Sequence, residues 1–218
     1  MLTLNRLLSC GLKISALLLL LVGLHACTLL PQPEPEPRRL QLTLPQLDTA
    51  TSTATTSRLQ LAIDRPQAAS PLRGRDLWYR EDQALNAFSR YQWAESLDLQ
   101  LQRWLVHGLG QAGWTHSVLP DQPGFASDLR LLLTLDQWYL NLPAQTLDID
   151  LQVTLLDPQG VSLYQRRWQA RPSVTPLAPL GMVGASQIWL ETWLIELEAD
   201  LAEQHRLGWP APLSARSI

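Results

Sequence analysis

Apolar residues recur at every second position over several stretches of this chain and at every third or fourth over two others. Leu40, Leu42 and Leu44 alternate with polar residues, as do Leu59, Leu61 and Ile63. Period two is the mark of a half-buried strand. Residues 74–80 read as a third strand, with Leu77 and Tyr79 on one face and Asp76 and Trp78 on the other. The period then lengthens. Leu97, Leu101, Trp104, Leu105, Gly108, Leu109 and Ala112 fall at helical spacing, with Ser96 as N-cap, Asp98 in the first turn and Gly113 as the stop. A short strand over 114–119 ends at Pro120.

Residues 128–140 alternate through Leu129, Leu131, Leu133 and Leu135, after which the apolar phase moves to Trp138, Leu140 and Leu142. A one-residue slip of this kind predicts a bulge or bend. Residues 148–157 and 161–170 flank Pro158-Gln159-Gly160 and read as a hairpin. The prolines and glycines of 171–184 predict a loop. A second helix over 185–205 carries Leu190, Trp193, Leu194, Leu197 and Leu201 on one face, with Glu191, Glu198 and Glu203 outward. Strands, helix, strands, helix predict one α/β or α+β domain with a mixed parallel and antiparallel sheet packed with two main helices.

The N-terminus carries a different signal. Arg6 and Lys13 precede an apolar run from Ile14, with Leu17 to Leu21 unbroken. The run is shorter than the ~20 residues that span a bilayer, and reads as a secretory signal over residues 1–26. It ends at Leu24-His25-Ala26-Cys27, which resembles a bacterial lipobox: cleavage falls between Ala26 and Cys27, and the Cys27 thiol takes the lipid. Thr28 stands where an aspartate would favour inner-membrane retention, so the expected location is the periplasmic face of the outer membrane. Pro31 to Pro37 alternates proline with Gln or Glu, which makes 27–38 a solvated tether favouring the polyproline II helix. The domain then occupies 39–206, with a loop of Thr, Ala and Ser at 49–57 and a flexible tail at 207–218.

Charge and cysteines narrow the chemistry. The net charge is −3, and loss of Arg6 and Lys13 with the signal brings it to about −5, which excludes a strongly basic nucleic-acid binder. The only cysteines are Cys10 and Cys27, so the body of the chain holds neither a disulfide framework nor a cysteine metal site. Gly108-Leu109-Gly110-Gln111-Ala112-Gly113 spells G-x-G-x-x-G but closes a helix instead of opening one, so it is read as helix packing. His107, His116 and His205 lie outside any metal-ligand spacing. Asp148 and Asp150 share a strand face and are expected at a solvated edge in preference to an acid–base pair. No cofactor is called for. Of nine tryptophans most are expected in the core. Trp78 and Trp168 oppose the expected core faces of their strands and are read as a second buried layer or as an exposed patch for a partner or a lipid chain.

The order of signals over 74–114 carries a resemblance. A strand ending Leu77-Trp78-Tyr79-Arg80 is followed by Phe88-Ser89-Arg90-Tyr91-Gln92-Trp93-Ala94-Glu95 and then by the amphipathic helix ending in Gly113-Trp114. This resembles the auxiliary lipoproteins of ABC-type transport systems, the group that includes paraquat-inducible protein C. The likeness extends over about residues 38–205 and departs at Trp78 and at the 49–57 loop. It implies a mixed-sheet domain without enzymatic activity. It also implies a partner, a mammalian-cell-entry (MCE) type substrate-binding protein working with an inner-membrane permease and ATPase to move lipid. The sequence leaves self-association and direct lipid contact open. A lipopolysaccharide-export type assembly factor and a periplasmic hydrolase are the competing readings. The former calls for a basic face, and the latter for a nucleophile and base in a cleft.

Overall fold

The computed structural model describes residues 35–46 and 59–208. The signal sequence, Cys27 and most of the tether, the 49–57 loop and residues 209–218 lie outside them. The compact unit that begins at Pro37 holds all the described strands and helices.

The strands are β1 (Arg38–Leu40), β2 (Gln60–Ile63), β3 (Gln67–Ala68), β4 (Asp76–Glu81), β5 (Ala84–Trp93), β6 (Ser117–Pro120), β7 (Leu129–Asn141), β8 (Thr146–Leu156) and β9 (Ser162–Ala170). Two helices, α1 (Leu97–Leu109) and α2 (Pro179–Arg206), accompany them, with a 3-10 turn at Ser70–Arg73. All nine strands among the described residues form one mixed sheet, so the domain is of the α+β class.

β7 is the axis of that sheet. One edge runs antiparallel to β8 along nearly its whole length, and β8 pairs in turn with β9. The other edge is shared end to end by parallel β2, β3 and β4. β2 carries β6 beyond it, in parallel, while β4 carries β5 and then β1. The predicted slip is a bulge between Leu135 and Gln137. It lets Leu129, Leu131, Leu133 and Leu135 face the helices first and Trp138 and Leu140 after it, all buried.

The helices cover one face of the sheet. Leu101, Trp104, Leu105 and Leu109 of α1 and Met182, Leu190, Trp193, Leu194, Leu197 and Leu201 of α2 pack there against Leu147, Ile149, Leu151, Val153 and Leu155 of β8. Each such side chain withdrawn from water contributes roughly 1.5–3 kcal/mol. α1 and α2 approach closely at Gly108, where an added Cβ would lie 2.5 Å from Leu194 Cδ2. Close helix packing therefore accounts for the first glycine of the G-x-G-x-x-G run.

Several boundaries depart from expectation. β1 stops at Leu40 because the chain leaves the sheet and crosses the helices. The Leu42 N–H donates to Gln100 Oε1 at 2.8 Å, and the Thr43 N–H to Gln187 Oε1 at 3.0 Å. α1 ends at Leu109, with Gly110 as its C-cap, earlier than the predicted stop. α2 starts at Pro179 instead of 185. Proline suits the first helical turn, where its missing N–H needs no partner. Gly181 fits there because a Cβ would meet the Pro176 carbonyl oxygen. β5, a ten-residue strand, was not predicted at all. Its register against β4 jumps between Asp76–Gln92 and Trp78–Ala87. Exposed and half-buried side chains mix on both of its faces and only Trp93 is buried, so the sequence shows no clean alternation.

Candidate functional site

The sheet face away from the helices carries the polar side chains of β4, β7, β8 and β9. Pleating puts Asp148 and Asp150 of β8 there, alternating with the core residues Leu147, Ile149 and Leu151. β8 is an interior strand, so both carboxylates are 2% exposed. This corrects the expectation of a solvated edge. A buried carboxylate is tolerated only when its oxygens are bonded, and these are. Asp148 Oδ2 accepts from Arg80 Nη2 at 3.1 Å and from Asn141 Nδ2 at 2.9 Å, and its Oδ1 accepts from Thr146 Oγ1 at 3.0 Å. Asp150 takes a bidentate pair from Arg167, Nε and Nη2 each at 2.7 Å, and a third bond from Gln169 Nε2 at 2.9 Å. The Arg167 bonds hold the Asp150 carboxyl below the usual carboxylate range; burial opposes them and the Gln169 bond assists. Arg167 in turn is held further toward its charged form, chiefly by the bond to Asp150.

These residues floor an open cavity of about 530 Å³ lined by Gln137, Asp148, Ile149, Asp150, Gln169, Ala170 and Arg171. Arg171 lies at its rim, 3.8 Å from Asp148. Arg80 also passes over the Tyr139 ring, 5.3 Å from its centroid. With every carboxylate oxygen of Asp148 and Asp150 engaged by a donor, the arrangement is built to hold shape and charge. It suits recognition better than proton transfer.

The two tryptophans singled out in the sequence separate. Trp78 does stand on this outer face, half-buried, its indole Nε1 donating to the Pro71 carbonyl at 2.7 Å. Trp168 does not. The β8–β9 register shifts between Leu155 and Leu156, and that slip turns Trp168 onto the helix face opposite Leu151. There it is 8% exposed and meets Trp193 edge to face, with ring centroids 5.8 Å apart. Trp193 also stacks on Trp104 and Trp189, so Trp104, Trp168, Trp189 and Trp193 form one layer where α1, α2 and β9 meet. Arg166 covers Trp168 and pairs with Asp200 of α2 at 2.6 Å, and with Glu196. Tyr164 donates to the same Asp200 at 2.7 Å, and burial first, then that carboxylate, raises its pKa. Cys27 and Ala26 lie outside the described residues.

No other chemistry gathers among the described residues. His107 and His116 are exposed, and His205 lies by Trp114. No group of His, Cys, Asp and Glu there could hold a metal ion, and no described helix is long and apolar enough to cross a membrane. Ser186 is fully buried; its hydroxyl donates to the Met182 carbonyl at 2.8 Å and accepts from Trp138 Nε1 at 3.2 Å.

A family model described as the ABC-type transport auxiliary lipoprotein component matches residues 41–192. That span holds the buried aspartates, all of α1, the first half of α2, and Trp104, Trp168 and Trp189 of the tryptophan layer. The chain belongs to this family. Two crystal structures share its fold. One, a Xanthomonas campestris protein assigned to the family DUF330, is 16% identical, with 78% of this chain and 98% of that chain covered at a TM-score of 0.59. The other, an uncharacterized protein, is 18% identical, with coverage of 78% and 99% and the same TM-score. Among curated proteins no sequence matches significantly. The strand, aromatic, Trp-Ala-acid and helix order that suggested the auxiliary lipoproteins lies inside the matched span. The family is thus an auxiliary part of ABC transport, and its lipoprotein character agrees with a membrane anchor.

Proposed function

We propose that the chain is a non-catalytic lipoprotein held at the periplasmic face of the outer membrane through Cys27. Its folded domain docks an MCE-domain protein that works with an inner-membrane permease and ATPase in lipid transport. The family match over residues 41–192 carries this reading. The lipobox at Leu24–Cys27 and the Pro-Glu tether support it, since a lipid anchor and a spacer suit a domain that must reach a partner across the periplasm. The outer sheet face supports it as well. Its aspartates are fixed by arginines, and Trp78 adds an aromatic edge, in the manner of a surface that recognises a protein. Trp168, being in the core, has no part in that surface.

The test is purification of the anchored chain from membranes in mild detergent, with its companions identified by mass spectrometry. The expected companions are an MCE-domain protein, its permease and its ATPase. Recovery of the chain alone, or with a β-barrel assembly protein, overturns the proposal.

A further inference from the structure

Helix α2 is apolar on two sides. One side is the core face already described. The other is a row of Leu180, Gly184, Ile188, Thr192, Ile195 and Ala199, all exposed, continuing to Ala202. Ile188 is 70% exposed and Ile195 58%. Solvent-facing helix positions are ordinarily filled by long polar helix formers, and β-branched isoleucines there gain nothing in helix propensity. From Ile188 onward the spacing alternates four and three through Thr192, Ile195, Ala199 and Ala202, the a/d pattern of a helix that packs along another helix. The small residues Ala199 and Ala202 line a shallow dent with Glu203 and Arg206, where a second backbone can come close.

We propose that this seam is the docking site for an amphipathic helix of the transport partner, a helix with an apolar or small-residue seam flanked by Lys and Arg. Charge decides between occupants. Along α2 stand Glu191, Glu196, Glu198, Asp200 and Glu203, and the only arginine is Arg206. Glu196 and Asp200 share Arg166 and Glu203 meets Arg206, so the remaining acidic charge along the seam is carried chiefly by Glu191 and Glu198. A second copy of this chain would set acid against acid there, whereas a basic flank finds opposite charge. Area sets how the occupant must be held. From Leu180 to Ala202 the seam runs roughly 33 Å, and a strip about 10 Å wide offers roughly 330 Å². That is well under the ~800 Å² per partner of an interface stable between free molecules. It suffices when both sides are held close in one assembly, which raises the effective concentration for either occupant, so the charge along the seam decides between them. The inference rests on the docking reading of the previous section.

The experiment places the photo-crosslinker p-benzoylphenylalanine at Ile188 or Ile195 of the full anchored chain, and at Gln83 or Gln159 as controls in exposed turns outside the seam and the outer sheet face. Cells are irradiated and adducts identified by mass spectrometry. The expected result is an adduct with a component of the ABC transport system from the two seam positions, about tenfold above the controls. The crosslinked peptide should have helical periodicity and basic flanks. Reversing Glu191 and Glu203 together to Lys should lower that yield about fivefold. An adduct of twice the chain's own mass overturns the inference in favour of a second copy. Capture of the transport component from Gln83 or Gln159 but not from the seam overturns the seam and leaves the docking function standing. Capture of no transport component at any position overturns both.

Discussion

Strand β8 puts two chemically opposite layers on the two faces of one sheet. Toward the helices, Leu147, Ile149, Leu151, Val153 and Leu155 meet the tryptophan layer and the leucines of α2. Away from them, Asp148 and Asp150 lie as deeply buried, yet beneath arginine and amide side chains. The first face is held by area withdrawn from water, which is non-directional and tolerant. The second is held by bonds whose worth depends on each partner staying in place. Burial alone therefore does not separate core from recognition surface here; the kind of partner does.

The contrast can be broken from either side. Trp193→Ala should cost most, about 3–5 kcal/mol, because it opens a cavity among Trp104, Trp168 and Trp189 that their rings cannot fill. The urea unfolding midpoint reads it. Asp148→Ala comes next, at about 1–3 kcal/mol, since Asn141 is buried and loses its acceptor while Arg80 can turn to water. A loss above that of Trp193→Ala would reverse the ranking of the two faces. Asp150→Asn should cost less, about 1 kcal/mol, because the Arg167 side chain is 52% exposed.

Asp150 also predicts a pH dependence. Its pKa is depressed by Arg167, and that of Asp98 is depressed because bonds from Ser96 and Arg65 together outweigh burial, the largest single influence. Depressed carboxylates contribute stability that is whole above the ordinary aspartate value, about 3.9, and is lost as pH falls through and below it. The unfolding midpoint should hold steady from neutral pH to about 5 and drop below 4. Asp150→Asn should shrink that drop. Trp78→Ala should have the smallest effect, under about 1 kcal/mol, because the ring is half-buried and its one side-chain bond is to the Pro71 carbonyl of the short 3-10 turn. Its consequence should be seen in partner capture instead.

The apolar face was legible from sequence because alternation reports which side of a strand is dry. The bulge in β7 was visible as a phase slip, and the β8–β9 hairpin as Pro-Gln-Gly. The polar face was not legible. Aspartates read as solvated unless their neighbours are known, and Arg80 and Arg167 come from other strands. Trp168 was misplaced because a second register slip, between Leu155 and Leu156, leaves no apolar phase change to mark it. β5 was missed because neither of its faces is uniformly apolar, although its Phe88, Tyr91 and Trp93 carried the family resemblance. The outer seam of α2 is marked in the sequence by Ile188 and Ile195, but the glutamates interleaved with them give that side the pattern of a solvated face.

Anchorage at Cys27 and docking by the folded domain should be separable properties. The most direct test expresses the mature chain with Cys27→Ser behind an ordinary secretory signal, then assays both properties. The protein should be released to the soluble periplasmic fraction while still capturing the MCE-domain protein of its transport system from detergent extract. Retention in the outer membrane, or loss of that capture when the lipid is lost, would contradict it.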